Sequence, residues 1–146
     1  MTRRYAEHLN IGWYHSLLGD HASALRYCSD ALAIQERLDD QPAMAATWDS
    51  LGHVHHSLEQ HDDASDCYGR ALEIYRRLGN HAEEAETLVR LGENRVSAGE
   101  PQSALDAWRQ ALAIFEPLGS AAARELAERI RLLSAPNKSD TPAQQA

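Results

Sequence analysis

The sequence predicts an all-α solenoid: three helix-turn-helix repeats of forty residues followed by a C-terminal capping helix. Three observations carry that prediction. The chain repeats itself at a spacing of forty, the apolar residues inside each unit recur at helical steps, and the apolar content leans on Ala and Leu. Ala and Leu lose little side-chain freedom in a helix, whereas Val and Ile favour strands. A fixed period of this length is the mark of an array whose units bury their apolar faces against one another.

The repeat is legible residue by residue. Ile11-Gly12 returns as Leu51-Gly52 and Leu91-Gly92. Ala24 returns as Ala64 and Ala104, and Ala31-Leu32 as Ala71-Leu72 and Ala111-Leu112. Ile34, Ile74 and Ile114 follow, then Leu38, Leu78 and Leu118. Cys28, Tyr68 and Trp108 share one position, which therefore takes a large or soft apolar group. The units run over about 5–40, 41–80 and 81–120.

Each unit reads as two helices. In the middle unit the first covers roughly 42–58, with Ala45, Trp48, Leu51, Val54 or His55, and Leu58 at three- and four-residue steps. The second covers roughly 62–78, with Ala64, Tyr68, Ala71, Leu72, Tyr75 and Leu78 on one stripe. Gly19-Asp20-His21, Glu59-Gln60-His61-Asp62 and Gly99-Glu100-Pro101 are the breaks within units, Pro101 suiting the first position of a helix. Asp39-Asp40, Gly79-Asn80 and Gly119-Ser120 separate the units, where Gly or Asn suits a left-handed cap. A glycine inside a helix costs about 1 kcal/mol against Ala. Gly12, Gly52 and Gly92 imply a neighbouring helix too close for a Cβ.

Residues 121–133 form the capping helix, with Ala122, Ala123, Leu126, Ile130 and Leu133 on its apolar stripe. Arg124, Glu125, Glu128, Arg129 and Arg131 lie mostly opposite. The tail 134–146 holds two prolines and no apolar period, which predicts disorder. At the other end Tyr5, Leu9 and Tyr14 belong to a helix that a preceding unit would normally cover. That end reads as cut from a longer array, or as a surface through which two copies pair.

Leu51-Gly52, Ala64, Tyr68 and Ala71, with their counterparts at forty-residue intervals, resemble the tetratricopeptide repeat (TPR). The resemblance covers about 5–133 and implies a right-handed superhelix, so 1–133 is read as one TPR domain. The spacing exceeds the usual period of about thirty-four. The proline that normally ends the second helix is absent at Glu36, Arg76 and Glu116, which lengthens that helix, while Pro117 shortens or kinks it in the third unit. The wording from DSLGHVHHSLEQHDD to LGE, then AGEPQSALDAWRQALAIFEPL, is similar to the C-terminal repeats of bacterial regulators of the antibiotic regulatory protein (SARP) type. In that subgroup a DNA-binding domain and a nucleotide-binding NB-ARC module precede the repeats. Neither kind of module is present here, so the resemblance implies the regulatory repeat portion of a transcriptional regulator.

Composition excludes several function classes. A net charge of −8 disfavours a phosphate backbone as partner. No run of apolar residues reaches membrane-spanning length, and no apolar segment follows Arg3-Arg4, so the reading is cytoplasmic, with no membrane partner. Cys28 and Cys67 lack ligand or redox spacing and suit reduced thiols. No nucleophile has a base in register, no phosphate loop is present, and Glu83-Glu84 is a solvating pair, so neither an enzyme nor a cofactor is expected.

The richest chemistry lies in DSLGHVHHSLEQHDD, residues 49–63, with four histidines and three aspartates. At about 100° per residue, Asp49, His53 and His56 share one helix face opposite Trp48, Leu51 and His55. His55 takes the position of a packing aromatic, and His61 with Asp62 and Asp63 reads as a solvated helix start. Asp49, His53 and His56 match no strong zinc spacing, although sensing of a metal or small molecule through them is an alternative. In the resembled architecture their face lines the concave groove beside Leu9 and Trp13 of unit one and Glu86, Val89, Glu93 and Val96 of unit three. That mixture of aliphatic, aromatic, imidazole and carboxylate groups suits a protein or peptide partner carrying basic and apolar groups. Other domains of a parent regulator are candidates for it, and a homodimer through the uncapped first helix is the competing reading.

Overall fold

A computed structural model describes residues 19–136. Its elements among those residues are six helices: α1 (His21–Leu38), α2 (Gln41–Ser57), α3 (His61–Leu78), α4 (His81–Ser97), α5 (Pro101–Phe115) and α6 (Ala121–Ser134). They alternate as expected, α2 and α4 being first helices of their units and α1, α3 and α5 second helices. The capping helix runs to Ser134, one residue beyond the sequence boundary, and α5 stops two residues before Pro117. Residues 1–18, with Tyr5, Leu9, Trp13 and Tyr14 of the expected first helix of unit one, and residues 137–146 lie outside the described residues.

Local chemistry ends each helix where the repeat predicts. Asp39, Gly79 and Gly119 all take left-handed φ values, of 50°, 68° and 63°. One residue later Asp40, Asn80 and Ser120 accept from backbone N–H groups of the next helix, satisfying donors that have no partner within it. The turns inside units use a second left-handed position: Gly19 (φ 80°), Glu59 (φ 61°) and Gly99 (φ 78°). Glu59 is the exception, a residue with a Cβ where its counterparts have none.

Packing follows the small residues. Ala24, Ala31, Ala64, Ala71, Ala104 and Ala111 are all fully buried. A Cβ on Gly52 would stand 2.7 Å from Cδ1 and Cε1 of Tyr68, and one on Gly92 would run into Nε1 and Cδ1 of Trp108. Each aromatic ring therefore fills the notch that its glycine leaves. Trp108 is further pinned by its indole N–H, which donates to the Val89 carbonyl at 3.1 Å. At the C-terminal end of the array Leu126 closes the same core, with Ala122, Ala123, Ile130 and Leu133 packed against it.

The backbones of α2 and α4 approach each other directly, whereas those of the second helices α1, α3 and α5 do not approach one another. The array is therefore curved, with α2 and α4 on its inner side.

Two stability predictions follow from these positions. Gly92→Ala should lower stability by about 1–3 kcal/mol in urea unfolding despite its gain in helix propensity, because the buried Trp108 ring has nowhere to go. Adding Trp108→Leu should remove most of that further loss; an additive double mutant would contradict the notch. Glu59→Gly should raise stability by about 0.5–1 kcal/mol by relieving the left-handed strain.

Candidate functional site: the inner groove

The sequence-predicted residues fall on two adjacent inner helices. Asp49, His53 and His56 lie on α2, and Glu86, Val89, Glu93 and Val96 on α4. Leu9 and Trp13 lie outside the described residues.

Asp49 sits between the helices with its side chain 15% exposed. Its Oδ2 accepts from Arg90 Nη1 at 2.7 Å, while Oδ1 is buried with no hydrogen-bond partner. Burial pushes its carboxyl up to about 6; Arg90 opposes that, and Glu83 and Glu86 add to it. One turn on, burial holds the His53 imidazole below its ordinary range, reinforced by His56 and Arg90 and opposed by Glu93. His56 Nε2 meets Ser97 Oγ of α4 at 3.1 Å. Its imidazole too is held down, by burial and then by His61.

His61 departs from the expected solvated turn. It opens α3, and its Nδ1 lies 2.9 Å from Oδ1 of Asn94, a fully buried residue of α4. Asn94 Nδ2 donates to the His61 carbonyl and to Ser65 Oγ, both at 2.9 Å. A carbonyl oxygen only accepts, so the amide nitrogen must face it and Oδ1 must face the ring. The proton of neutral His61 therefore sits on Nδ1. Asp62 and Asp63 are exposed, as expected of a solvated helix start.

His56 and His61 lie with ring centres 5.9 Å apart. With His53, Ser57, Glu59 and Ser97 they line a cleft of about 280 Å³. A second cleft, of about 300 Å³, opens along the groove between α4 and α6, lined by Glu86, Val89, Phe115, Leu126 and Arg129 among others. Arg129 of the capping helix turns inward: its Nη1 pairs with Glu93 Oε1 at 3.2 Å, and its guanidinium stacks over Trp108 at 4.6 Å. His55 stays apart from this set, half-buried, with Nδ1 2.7 Å from Gln60 Oε1. Arg95, its repeat counterpart, reaches Glu100 in the same way.

Asp49, His53 and His56 do not converge on one point: Asp49 is held by Arg90 and His56 by Ser97. Among the described residues no three His, Cys, Asp or Glu side chains are grouped to hold a metal ion. The sequence reading missed Arg90, Ser97, Arg129 and the His61–Asn94 pair. Asn94 had a signal, since it replaces the apolar Val54 of the preceding unit. Arg90 had none, because its counterpart Ser50 sets no precedent. The groove is also less acidic than its carboxylates imply, with Asp49 and Glu93 each answered by a guanidinium. Cys28 and Cys67 are both buried, and burial pushes each thiol up to about 11, so neither is a ready nucleophile.

Comparison with known proteins places the fold. The tetratricopeptide repeat family profile matches residues 4–77 and 43–116. No curated protein sequence matches the chain. Among solved structures, BtubC (BKLC) from P. vanneervenii is similar at 24% identity and a TM-score of 0.74, over 80% of this chain and 48% of that one. The N-terminal domain of stress-induced protein-1 from C. elegans is similar at 14% identity and a TM-score of 0.74, over 92% of this chain and 97% of that one. Nearly identical TPR-like repeats of kinesin light chain type from Podosopora anserina are similar at 14% identity and a TM-score of 0.75, over 89% and 65% of the two chains. The chain spans about half the length of the first of these structures.

The geometry makes two measurable statements. A carboxyl near 6 in the folded chain, against about 3.9 unfolded, binds its proton more tightly when folded. Its contribution to stability is therefore full below the unfolded value and is lost as pH rises through 6, the reverse of an aspartate whose pKa an ion pair depresses. Urea unfolding of Asp49→Asn should gain on the parent chain by about 2 kcal/mol between pH 4.5 and 7.5. A constant difference across that range would refute the burial. Asn94→Val should cost about 1–3 kcal/mol, because it strands the His61 and Ser65 groups, although Val fits the same position in unit two.

Proposed function

Because the chain belongs to the tetratricopeptide repeat family, we propose that it is a non-catalytic protein-interaction module whose inner groove holds a segment of a partner protein. One observation carries the reading: the inner faces of α2, α4 and α6 open two successive clefts lined by polar groups together with Val89 and Leu126. A core has no use for such a lining, and an extended segment can reach both clefts at once.

The segment best suited to the lining carries basic and apolar groups. Glu86 and Glu125 are exposed on the second cleft and receive cations, while Val89 and Leu126 offer apolar contact. Asp49, His53, His56, Glu93 and Val96 complete the surface, with Leu9 and Trp13 of unit one assigned to the same groove. The resemblance to SARP-type regulators supports a cytoplasmic, regulatory role in which the groove takes a partner or another domain of the parent protein. A ligand of the groove then favours one arrangement of that parent over another by binding it more tightly. Among the described residues no helix is long and apolar enough to cross a membrane.

Peptides selected from a random library against the full chain test the groove. They should be enriched in Lys, Arg and apolar residues, and His53→Ala with Val89→Asp should weaken them about tenfold or more while circular dichroism stays helical. Selected peptides indifferent to both substitutions would sink the groove reading. Sedimentation in parallel separates it from self-association, which requires a concentration-dependent mass abolished by polar substitutions at Tyr5 and Leu9. The regulator context is tested by the coding sequence upstream of Met1, where a nucleotide-binding or DNA-binding module is expected.

A further inference from the structure

The curvature that brings first helices together on the inner side spreads second helices on the outer side. α1 and α3 both pack on α2, and their backbones do not approach each other. A furrow opens between them, with α2 as its floor, and encloses about 470 Å³. Leu25, Leu32, Ala33, Trp48, Leu51 and Cys67 line it. This volume lies in the range of pockets that bury a ligand group, and the lining is chiefly aliphatic and aromatic.

The repeat itself does not require so apolar a furrow. In the next unit Ser65 replaces Leu25, Glu73 replaces Ala33, Leu88 replaces Trp48 and Ala107 replaces Cys67. Arg76 crosses that second furrow to donate to Gln110 at 3.2 Å, and nothing comparable bridges the first among the described residues. The first furrow is thus more apolar than its counterpart.

Its edge is acidic. Glu36 lies on the lining, and Asp63 and Asp66 stand close enough to Cys67 to push its thiol further up after burial has done so. All three carboxylates are exposed, and none forms an ion pair among the described residues. The nearby cation Arg70 is stacked on the Trp48 ring at 4.8 Å.

We propose that this outer furrow is a second docking site, for a partner segment that inserts one large apolar side chain and flanks it with Lys or Arg. The pocket supplies the apolar contact, and the three carboxylates fix the sign of the flanks. The site is separate from the groove, being built on α1 and α3, which contribute nothing to the inner clefts except His61 at the start of α3 and the preceding turn residue Glu59.

The test uses the full chain and a short labelled peptide carrying one Phe flanked by lysines in a Gly/Ser background, read by fluorescence anisotropy. Two control peptides replace the lysines by Glu or the Phe by Ser. The Phe–Lys peptide should bind, and both controls should bind about tenfold more weakly or worse. Leu25→Ser with Ala33→Glu gives the furrow the residues that unit two already carries, so the fold should persist by circular dichroism while binding falls about tenfold. Asp63→Asn with Asp66→Asn should weaken binding and flatten its salt dependence. Three results would overturn the proposal: no binding by the wild-type chain, equal binding of the Glu peptide, or binding indifferent to the furrow double variant. Loss on His53→Ala with Val89→Asp but not on the furrow variant would assign the peptide to the groove, overturning this site while supporting that one. A concentration-dependent mass abolished by the furrow variant would make the occupant a second copy and overturn it as well.

Discussion

The close approach of helix to helix at Gly52 and Gly92 is the constraint on which the architecture rests. Where a Cβ is missing, the Tyr68 and Trp108 rings lie directly on the backbone of the partner helix. The fully buried alanines at 64, 71, 104 and 111 let the same helices pack without obstruction. A helix pair held this tightly behaves as one body. Successive pairs then differ only in how their outer surfaces meet, which makes a solenoid a sum of units and nearest-neighbour interfaces.

Those interfaces carry the individuality of the chain. Thr47 donates to the fully buried Gln35 across the first junction at 2.7 Å, whereas the next unit has Tyr75 at the position of Gln35, and the hydroxyl of Thr87 is left without a partner. Asn94 joins α4 to the start of α3 with three hydrogen bonds. A buried polar group of this kind is costly unless its partner is in place, so it penalises a slipped register more than an apolar contact would. The backbone repeats at forty residues, while the polar contacts between units do not.

This difference explains what could be read in advance. Helices, turns, caps and the glycine notches follow from features that recur three times, so each unit corroborates the others. Pro117 ended α5 early, and Asp49, His53 and His56 lie on α2 while Glu86, Val89, Glu93 and Val96 lie on α4. Side-chain partners across the groove were hidden, because they join different units and appear once each. Arg90, whose guanidinium holds one oxygen of Asp49, lies forty-one residues on. His61 looked like a solvated turn because its partner Asn94 lies thirty-three residues away on the next unit. Arg129 was placed on the solvent side of an amphipathic helix, where the long, flexible side chain was free to fold over Trp108 instead.

Arg129 also shows why groove and core are not independent. Its guanidinium contacts Glu93, which lines the groove, and the face of Trp108, whose ring also fills the Gly92 notch and donates to the Val89 carbonyl. A cationic group arriving at Glu93 competes with Arg129 for the carboxylate. Released from it, Arg129 keeps only its stacking on the indole, an interaction of about 0.5–2 kcal/mol depending on desolvation. The capping helix is thereby tied to the groove through a charge and to the preceding unit through a ring. Occupancy of the groove and the seating of α6 consequently share one side chain, a physical route by which binding at the inner face reaches the end of the array.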